Sequence, residues 1–325
     1  MAILVTGAAG FIGYHVARAL LDRGDRVVGI DNLNTYYDVR LKQARLAQLE
    51  GRDGFSFHRA DLADREAAGA VFGRHPDIRG IVHLAAQAGV RYSMQDPWSY
   101  VSSNLMGHLV ILEAARHMKQ CQHLVYASSS SVYGANRKLP FSEADRVDTP
   151  LSLYAATKRA DELMSHAYAH LYGIPQTGLR FFTVYGAWGR PDMAYFSFAR
   201  AIMQGEPITV YDGGALRRDF TYIDDIVAGV VGSLDRPPAD GRQARLLNIG
   251  NSGSEAVSDL IDLLERSLGR TAIRRNAPRP LADVEETFAS VDAIGTLTGF
   301  APRTSLAQGV PRFAEWFLEW MATEK

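Results

Sequence analysis

Tyr154 and Lys158 stand four residues apart in the segment 153–171, which reads as a helix ending before Gly173 and Pro175. That spacing puts both side chains on one helical face. A phenol with a pKa of about 10 is a poor base at neutral pH. A neighbouring ammonium favours the phenolate and makes a general base of it. Spacing alone does not separate this pair from a buried aromatic beside a solvated lysine. The start of the chain does. Gly7-Ala8-Ala9-Gly10-Phe11-Ile12-Gly13 follows the apolar run Ile3-Leu4-Val5 and opens a segment with Phe11, Ile12, Val16 and Leu20 at helical spacing. Glycines in such a turn let the backbone approach a pyrophosphate, and Gly13 lets the helix pack closely on the strand. The helix N-terminus offers its N–H groups and positive dipole to the phosphates. Val27-Val28-Gly29-Ile30 reads as a second strand, ended by Asp31. A carboxylate there accepts hydrogen bonds from both adenosine ribose hydroxyls and repels a 2′-phosphate, which favours NAD over NADP. A base behind a dinucleotide turn points to redox chemistry at a hydroxyl-bearing carbon. Lys158 is also placed to hold the nicotinamide ribose.

The elements that must position these groups alternate. Further strands are expected at 55–60, 81–86, 123–127 and 177–181, with helical segments between them. Such alternation implies an α/β fold with a doubly wound parallel sheet, whose ligands sit at the carboxyl ends of the strands. Asp31, Asp61, Ala85, Ala86, Ser128, Ser129 and Thr183 all fall at or just after predicted strand ends and are expected to converge on one crevice. Ser128-Ser129-Ser130-Ser131 supplies four hydroxyls there, suited to orienting a sugar hydroxyl. Residues 1–180 are expected to form the dinucleotide-binding domain, with returning segments at about 220–250 that include a strand at 246–249. Residues 181–325 are expected to form a smaller lobe that covers the substrate. Helices are expected at 194–204 and 224–234, and through Val257, Leu260, Ile261, Leu264 and Leu268. The aromatic stripe Phe313, Trp316, Phe317 and Trp320 reads as core.

The chain of 325 residues is 47% hydrophobic and carries a net charge of −1, so no electrostatic footprint for nucleic acid or an anionic membrane is expected. The single cysteine, Cys121, reads as a buried spectator thiol and excludes an internal disulfide or a multi-cysteine metal site. No metal is expected. No apolar run is long enough to span a bilayer, and a cytoplasmic setting is expected.

The glycine turn, the tyrosine–lysine pair, Ser128 to Gly134 and Arg218-Asp219-Phe220 together resemble the extended short-chain dehydrogenases/reductases that act on nucleotide sugars. The resemblance covers nearly the whole chain. Within that family, four stretches resemble the UDP-glucuronate 4-epimerases: Asp31-Asn32-Leu33-Asn34-Thr35-Tyr36-Tyr37-Asp38, Ala86-Gln87-Ala88-Gly89-Val90-Arg91-Tyr92-Ser93, Ser152 to Lys158 and Arg180 to Met193. The resemblance implies a Rossmann sheet with a smaller C-terminal UDP-sugar lobe. It also implies bound NAD and epimerisation at carbon 4 of UDP-glucuronate to UDP-galacturonate, with no net redox. Tyr154 would take the proton of the hydroxyl at carbon 4 while hydride leaves that carbon, with Ser129 bonded to the same oxygen. The 4-keto sugar would then turn over and receive hydride on its opposite face. The implied cofactor contacts are Gly7, Gly10, Phe11, Ile12, Gly13, Asp31, Asn32, Asp61, Leu62, Leu84, Ala85, Ala86, Asn104, Tyr154 and Lys158. Arg218 would grip the diphosphate, with Arg91 in the substrate site and Thr209 and Tyr211 near the uracil. The 4-keto intermediate is a β-keto acid, so its carboxylate must be held out of line with the keto π system. The resemblance assigns that task to Ser130, Ser131 and Thr183, with Arg190 closing the pocket. Galactose 4-epimerases of the wider family carry asparagine where Thr183 stands.

Other members resemble the chain less. The Asp-Glu pair that dehydratases place after their threonine is absent, since Ser130 and Ser131 follow Ser129. A UDP-glucuronate decarboxylase is the nearest rival in chemistry and a UDP-glucose 4-epimerase in substrate. A regulatory protein that only senses NAD is disfavoured by the retained Tyr154, Lys158 and Ser129. The segment Pro278-Arg279-Pro280-Leu281-Ala282-Asp283 departs from the family's Pro-Met-Gln-Pro-Gly-Asp, which puts its nucleotide contacts in doubt. The resemblance further implies a homodimer built on the helices at 103–117 and 153–171. Leu105, Leu109 and Leu112 would line that face or pack on the sheet.

Overall fold

The computed structural model describes residues 2–239, 243–280 and 284–323. In chain order it runs β1 (Ala2–Thr6), α1 (Phe11–Asp22), β2 (Arg26–Asp31), α2 (Val39–Ala47), β3 (Phe55–Arg59), α3 (Arg65–Arg74), β4 (Ile78–His83) and α4 (Pro97–Tyr100). It continues through α5 (Gly107–His117), β5 (His123–Ser129), α6 (Leu153–Tyr172), β6 (Gln176–Phe181), β7 (Thr183–Tyr185), α7 (Ala194–Gln204), β8 (Pro207–Tyr211), β9 (Arg217–Arg218) and β10 (Phe220–Tyr222). The last elements are α8 (Ile223–Leu234), β11 (Ala244–Ile249), β12 (Glu255–Ala256), α9 (Val257–Leu268), β13 (Ile273–Ala277), α10 (Asp292–Thr298) and α11 (Leu306–Thr323).

Seven strands form one parallel sheet in the order β11-β6-β5-β4-β1-β2-β3. Period-two alternation sends side chains to opposite faces. Ile3, Val5, Val27, Val82 and Val125 pack against α1 and α8 through Leu20, Ile226 and Val230. Leu4, Val28, Ile81 and Leu124 pack against α3 and α5 through Val71 and Ile111. The sheet is therefore wound on both faces, as the alternation requires. Strand order reverses between β1 and β4, and their carboxyl ends open the crevice. Smaller two-stranded pairings, β10 with β7, β12 with β9 and β13 with β8, lie beyond it. The aromatic stripe on α11 is core, with Phe313 and Phe317 wholly buried and Trp316 nearly so.

Several expectations shift. The fourth strand runs three residues earlier than predicted, because its ladder with β1 ends at His83 opposite Thr6. Leu84 and Ala85 then turn off the sheet, their N–H groups both donating to Thr6 Oγ1 at 3.2 and 3.1 Å. The helix expected from Ser103 opens instead as a π-helical stretch, Val101–Met106, before α5. Leu112 is wholly buried on the sheet, while Leu105 and Leu109 are half-buried. Cys121 is half-buried rather than buried, and burial still pushes its thiol up to about 11. Among the described residues no helix is long and apolar enough to cross a membrane.

A buried guanidinium links the two halves of the molecule. Arg45, on the buried face of α2, donates to Ala9 O (3.0 Å), Trp188 O (2.9 Å), Gly189 O (2.9 Å) and the Tyr37 hydroxyl (2.8 Å).

Candidate active site

A cavity of about 1260 Å³ runs along the carboxyl ends of the strands from the glycine turn to β8 and β9. Its cofactor end is built by close backbone approach. Gly7 has φ +70°, and a Cβ on it would meet the Ala85 nitrogen at 2.9 Å, so the loops after β1 and β4 touch there. A Cβ on Gly13 would lie 2.0 Å from the Gly7 carbonyl oxygen, which leaves glycine alone able to seat α1 on the turn. Gly10, Phe11 and Ile12 complete this wall. Asp31 ends β2 and is nearly buried; its Oδ2 accepts from Ala9 N–H at 3.2 Å and its Oδ1 from Leu33 N–H at 2.8 Å. Asn32 donates to Asp61 at 3.0 Å, and both line the cavity with Leu62, Leu84, Ala85 and Ala86. This cradle, a carboxylate at a strand end beside a helix N-terminus opened by glycines, fits a dinucleotide.

Asn104 is buried behind the 86–87 loop. Its Oδ1 accepts from Gln87 N–H at 2.8 Å, and its Nδ2 donates to Gln87 O at 3.1 Å and Thr157 Oγ1 at 3.0 Å. The π-helical stretch turns this buried amide inward, where it braces the 86–87 loop against α6.

Tyr154 and Lys158 sit in the first turns of α6, capped by Ser152, and both line the cavity. Lys158 is nearly buried and its Nζ donates to Asp161 Oδ2 at 3.1 Å. The Tyr154 ring meets Tyr100 edge-on at 6.0 Å. The Tyr100 hydroxyl bonds the Ala88 and Gly89 carbonyls at 2.8 and 2.5 Å. Ser129 ends β5, and its Oγ accepts from Ser131 N–H at 3.2 Å, which leaves its own hydrogen to donate elsewhere. Ser128 lines the cavity as well, and its hydroxyl donates to Glu162 at 2.6 Å. Ser130 and Ser131 lie on a short 3-10 turn and reach the cavity with Thr183 of β7.

Arg190 faces the same space. It donates twice to Asp192, at 3.0 and 2.5 Å, and the Tyr36 hydroxyl donates to Asp192 at 3.1 Å. Burial pushes the Asp192 carboxyl up, but the Arg190 charge and bonds, with the Tyr36 bond, outweigh it and hold it below its ordinary value. At the far end, Thr209 and Tyr211 of β8 and Arg218 of β9 line the wall. The Arg91 guanidinium lies 4.9 Å over the Tyr211 ring. Arg218 donates to Arg217 O at 2.8 Å and Glu285 O at 3.1 Å. Arg279 N–H donates to Asp212 Oδ1 at 3.2 Å and Pro280 reaches the cavity, while residues 281–283 of the divergent segment lie outside the described residues.

Two groups were missed in the sequence. Lys42 lines the cavity beside Asp31 and donates to Asn34 at 2.6 Å. Burial pulls its ammonium down to about 8 against the opposing pull of Asp31. The available signal was a lysine and an arginine alternating with Leu41 and Leu46 on the buried face of α2. The second is the carboxylate of Asp219, read only as part of a signature. It accepts from Asn251 N–H (2.6 Å), Ala289 N–H (3.1 Å) and Thr221 Oγ1 (2.8 Å), pinning the strand pair that carries Thr183.

A dinucleotide cradle, a tyrosine–lysine helix and a polar sugar-sized end in one cavity define a nucleotide-sugar short-chain enzyme. The chain belongs to the NAD dependent epimerase/dehydratase family, whose model matches residues 3–250. It is 47% identical to the "Probable UDP-glucuronate 4-epimerase" of Rhizobium meliloti, over 98% of this chain and 97% of that protein. It is 48% identical to UDP-glucuronate 4-epimerase 3 of Arabidopsis thaliana, over 97% of this chain and 76% of that one. The crystal structure of UDP-glucuronic acid 4-epimerase from Bacillus cereus, in complex with UDP-glucuronic acid and NAD, superposes with a TM-score of 0.90 at 34% identity, covering 98% of this chain and all of that one.

Proposed function

We propose that this chain interconverts UDP-glucuronate and UDP-galacturonate by epimerisation at carbon 4. The observation that carries the reading is a single cavity that joins the glycine turn and Asp31 to Tyr154, Lys158 and Ser129, and these to Ser130, Ser131, Thr183 and Arg190. Bound NAD supplies the transient hydride acceptor. Gly7, Gly10, Phe11, Ile12 and Gly13 seat its pyrophosphate, Asp31 and Lys42 its adenosine ribose, and Asn32, Asp61, Leu62 and Leu84 to Ala86 its adenine and nicotinamide sides. Tyr154 takes the hydroxyl proton at carbon 4 and returns it, Ser129 donates to the same oxygen, and Lys158 supports the phenolate. Ser130, Ser131 and Thr183 hold the carboxylate away from the alignment that would release carbon dioxide, and Arg190 closes the pocket. Arg218 and Arg91 hold the diphosphate end through charge-assisted bonds, with Thr209 and Tyr211 at the uracil.

The division of labour follows the crevice: residues 1–180 with the returning segment near 220–250 hold the cofactor, and residues 181–325 hold the UDP-sugar. A homodimer through α5 and α6 is proposed from Val101, Met106, Leu163, Leu171 and Tyr172, all exposed on or beside those helices. Light scattering at micromolar concentration checks it. A cytoplasmic location is proposed, and cell fractionation checks it.

The deciding experiment incubates purified protein with UDP-glucuronate and resolves the products by chromatography. UDP-galacturonate is the expected product. A UDP-pentose would transfer the chain to the decarboxylases, and conversion of UDP-glucose alone would change the substrate.

A further inference from the structure

Asp161 lies on α6 beyond Tyr154 and Lys158, and it is wholly buried. Its Oδ2 accepts from Lys158 Nζ at 3.1 Å, and its Oδ1 is buried with no hydrogen-bond partner among the described residues. Such a carboxylate is expensive to keep in a core, and a neutral residue would sit there at lower cost.

Among the described residues Lys158 is the cation bonded to it, and the other titratable groups of this region are neutral or engaged elsewhere. From α5, His108 is bonded to Ser165 Oγ at 2.8 Å, and burial holds it well below its ordinary value, hence neutral. From β4, burial and then Lys158 bring His83 down to about 3, also neutral. Tyr126 of β5 and Tyr133 of the 3-10 turn are pushed up by burial and stay protonated. Tyr100 of α4, edge-on to Tyr154, is raised in the same way. Glu162, the other anion of α6 in this core, is taken by Arg180 of β6 through two bonds at 2.8 and 2.9 Å and by Arg159 at 3.0 Å. Across the cavity Arg190 is occupied by Asp192. Burial pushes Asp161 itself up to about 6 against the pull of Lys158, and the 3.1 Å contact with the Lys158 ammonium pairs it as that cation's counter-ion.

We propose that Asp161 is a positioning residue of the reaction: it accepts a hydrogen bond from one of the three ammonium N–H groups of Lys158 and, by offsetting part of that charge, matches the proton affinity of Tyr154 to a base that must also return its proton. The inference rests on the epimerase reading of Tyr154 and Lys158. A bare ammonium beside a cationic nicotinamide would stabilise the phenolate so far that it abstracts poorly. An epimerase needs abstraction and return in every turnover, and general catalysis is fastest when the group's affinity lies near the working pH. With Asp161 in place, Lys158 keeps two protons for other partners.

Asp161→Asn tests this, since it keeps the shape and an oxygen for Lys158 while removing the charge. That charge lies two helical turns from Tyr154, about 10 Å along the axis. At that range its removal is expected to move the acid limb of the kcat–pH profile about one unit to lower pH. KM for UDP-glucuronate should be nearly unchanged. Asp161→Ala, which also removes the anchor, should show the same displacement together with lower kcat at every pH. A second readout needs no turnover. In NAD-loaded protein, the phenolate absorbance that depends on Tyr154, taken as the difference from a Tyr154→Phe partner, should develop at lower pH in both variants. Failure of wild-type protein to make UDP-galacturonate would remove the epimerase reading, and the phenolate titration still decides the role of Asp161. Superposition of the Asp161→Asn titration on wild type overturns the proposal, and so does an unmoved acid limb in an active enzyme.

Discussion

The Tyr36 hydroxyl donates to Asp192 Oδ2 at 3.1 Å, joining the loop that follows the cofactor strand β2 to the segment that carries Arg190. Asp192 in turn holds the Arg190 guanidinium by two bonds. The cofactor side of the cavity therefore sets where the arginine on the substrate side rests. Tyr36→Phe keeps the ring, which packs on Tyr92 at 4.7 Å, and removes one hydrogen bond. A bond to a charged group contributes about 1.5 kcal/mol, so KM for UDP-glucuronate is expected to change roughly tenfold while NAD affinity stays within about twofold. Steady-state kinetics beside cofactor titration separate the two, and an unchanged KM would break the coupling.

Tyr154→Phe removes the proposed base without disturbing the cradle. Loss of general acid–base catalysis lowers kcat by about 10²–10⁴. Bound NAD, measured by release on denaturation, should remain at wild-type stoichiometry. Full activity in the variant would take Tyr154 out of the reaction.

Thr183→Val and Ser131→Ala each remove a hydroxyl from the end of the cavity assigned to the carboxylate. The ketone intermediate then reaches the alignment for decarboxylation more often. Product analysis should show a larger UDP-pentose fraction in both variants, and unchanged partitioning in both would remove these residues from the task.

Asp31→Ala should relax the choice of cofactor. The carboxylate that repels a 2′-phosphate is lost, while the Lys42 ammonium beside it remains to receive one. The preference for NAD over NADP is expected to fall by roughly 10-fold or more, a change of about 1.4 kcal/mol per decade. Competitive binding of the two dinucleotides measures it. Asp31→Ala combined with Lys42→Met should bind both poorly.

Stability should fall on mild acidification. Burial brings His15 and His83 down to about 3, His123 to about 4 and His108 well below the ordinary 6.5. Depressed histidines give stability that is complete above about 6.5 and lost as pH falls toward their folded values. Asp161 and Asp219 act oppositely. Their carboxyls are raised by burial to about 6, so their contribution is present below the ordinary 3.8 and lost as pH rises through 6. Near pH 5 the unfolded chain gains four protons on the histidines, and the folded chain holds two on the aspartates. The histidines outnumber the aspartates, so stability is expected to fall as pH drops from about 6 to 4. Urea midpoints that rise over this range would show that the aspartates dominate.

What the sequence discloses is what local pattern can encode. The glycine turn, Asp31 at a strand end and the tyrosine–lysine spacing each depend on neighbours within a few residues. The parallel sheet follows from alternation. The apolar run Ile81 to Ala86 misplaces β4 because hydrophobicity continues past the point where the ladder with β1 stops. Lys42, Asp192 and Asp161 were not legible as what they are. Each takes its role from a partner or a burial that the fold provides: Asp31 for Lys42, Tyr36 for Asp192. For Asp161 a spacing of three from Lys158 was visible, but solvation of that face was not.

Arg45 bears on how such proteins diversify. Its guanidinium reaches Ala9 in the cofactor turn and Trp188 and Gly189 in the substrate segment. An exchange of halves between relatives therefore has to preserve this buried contact. A chimera crossed over near residue 180 inherits the arginine from one parent and two of its acceptors from the other. It is expected to fold only where both parents present those carbonyls in the same place, so this one side chain sets the crossover points open to recombination.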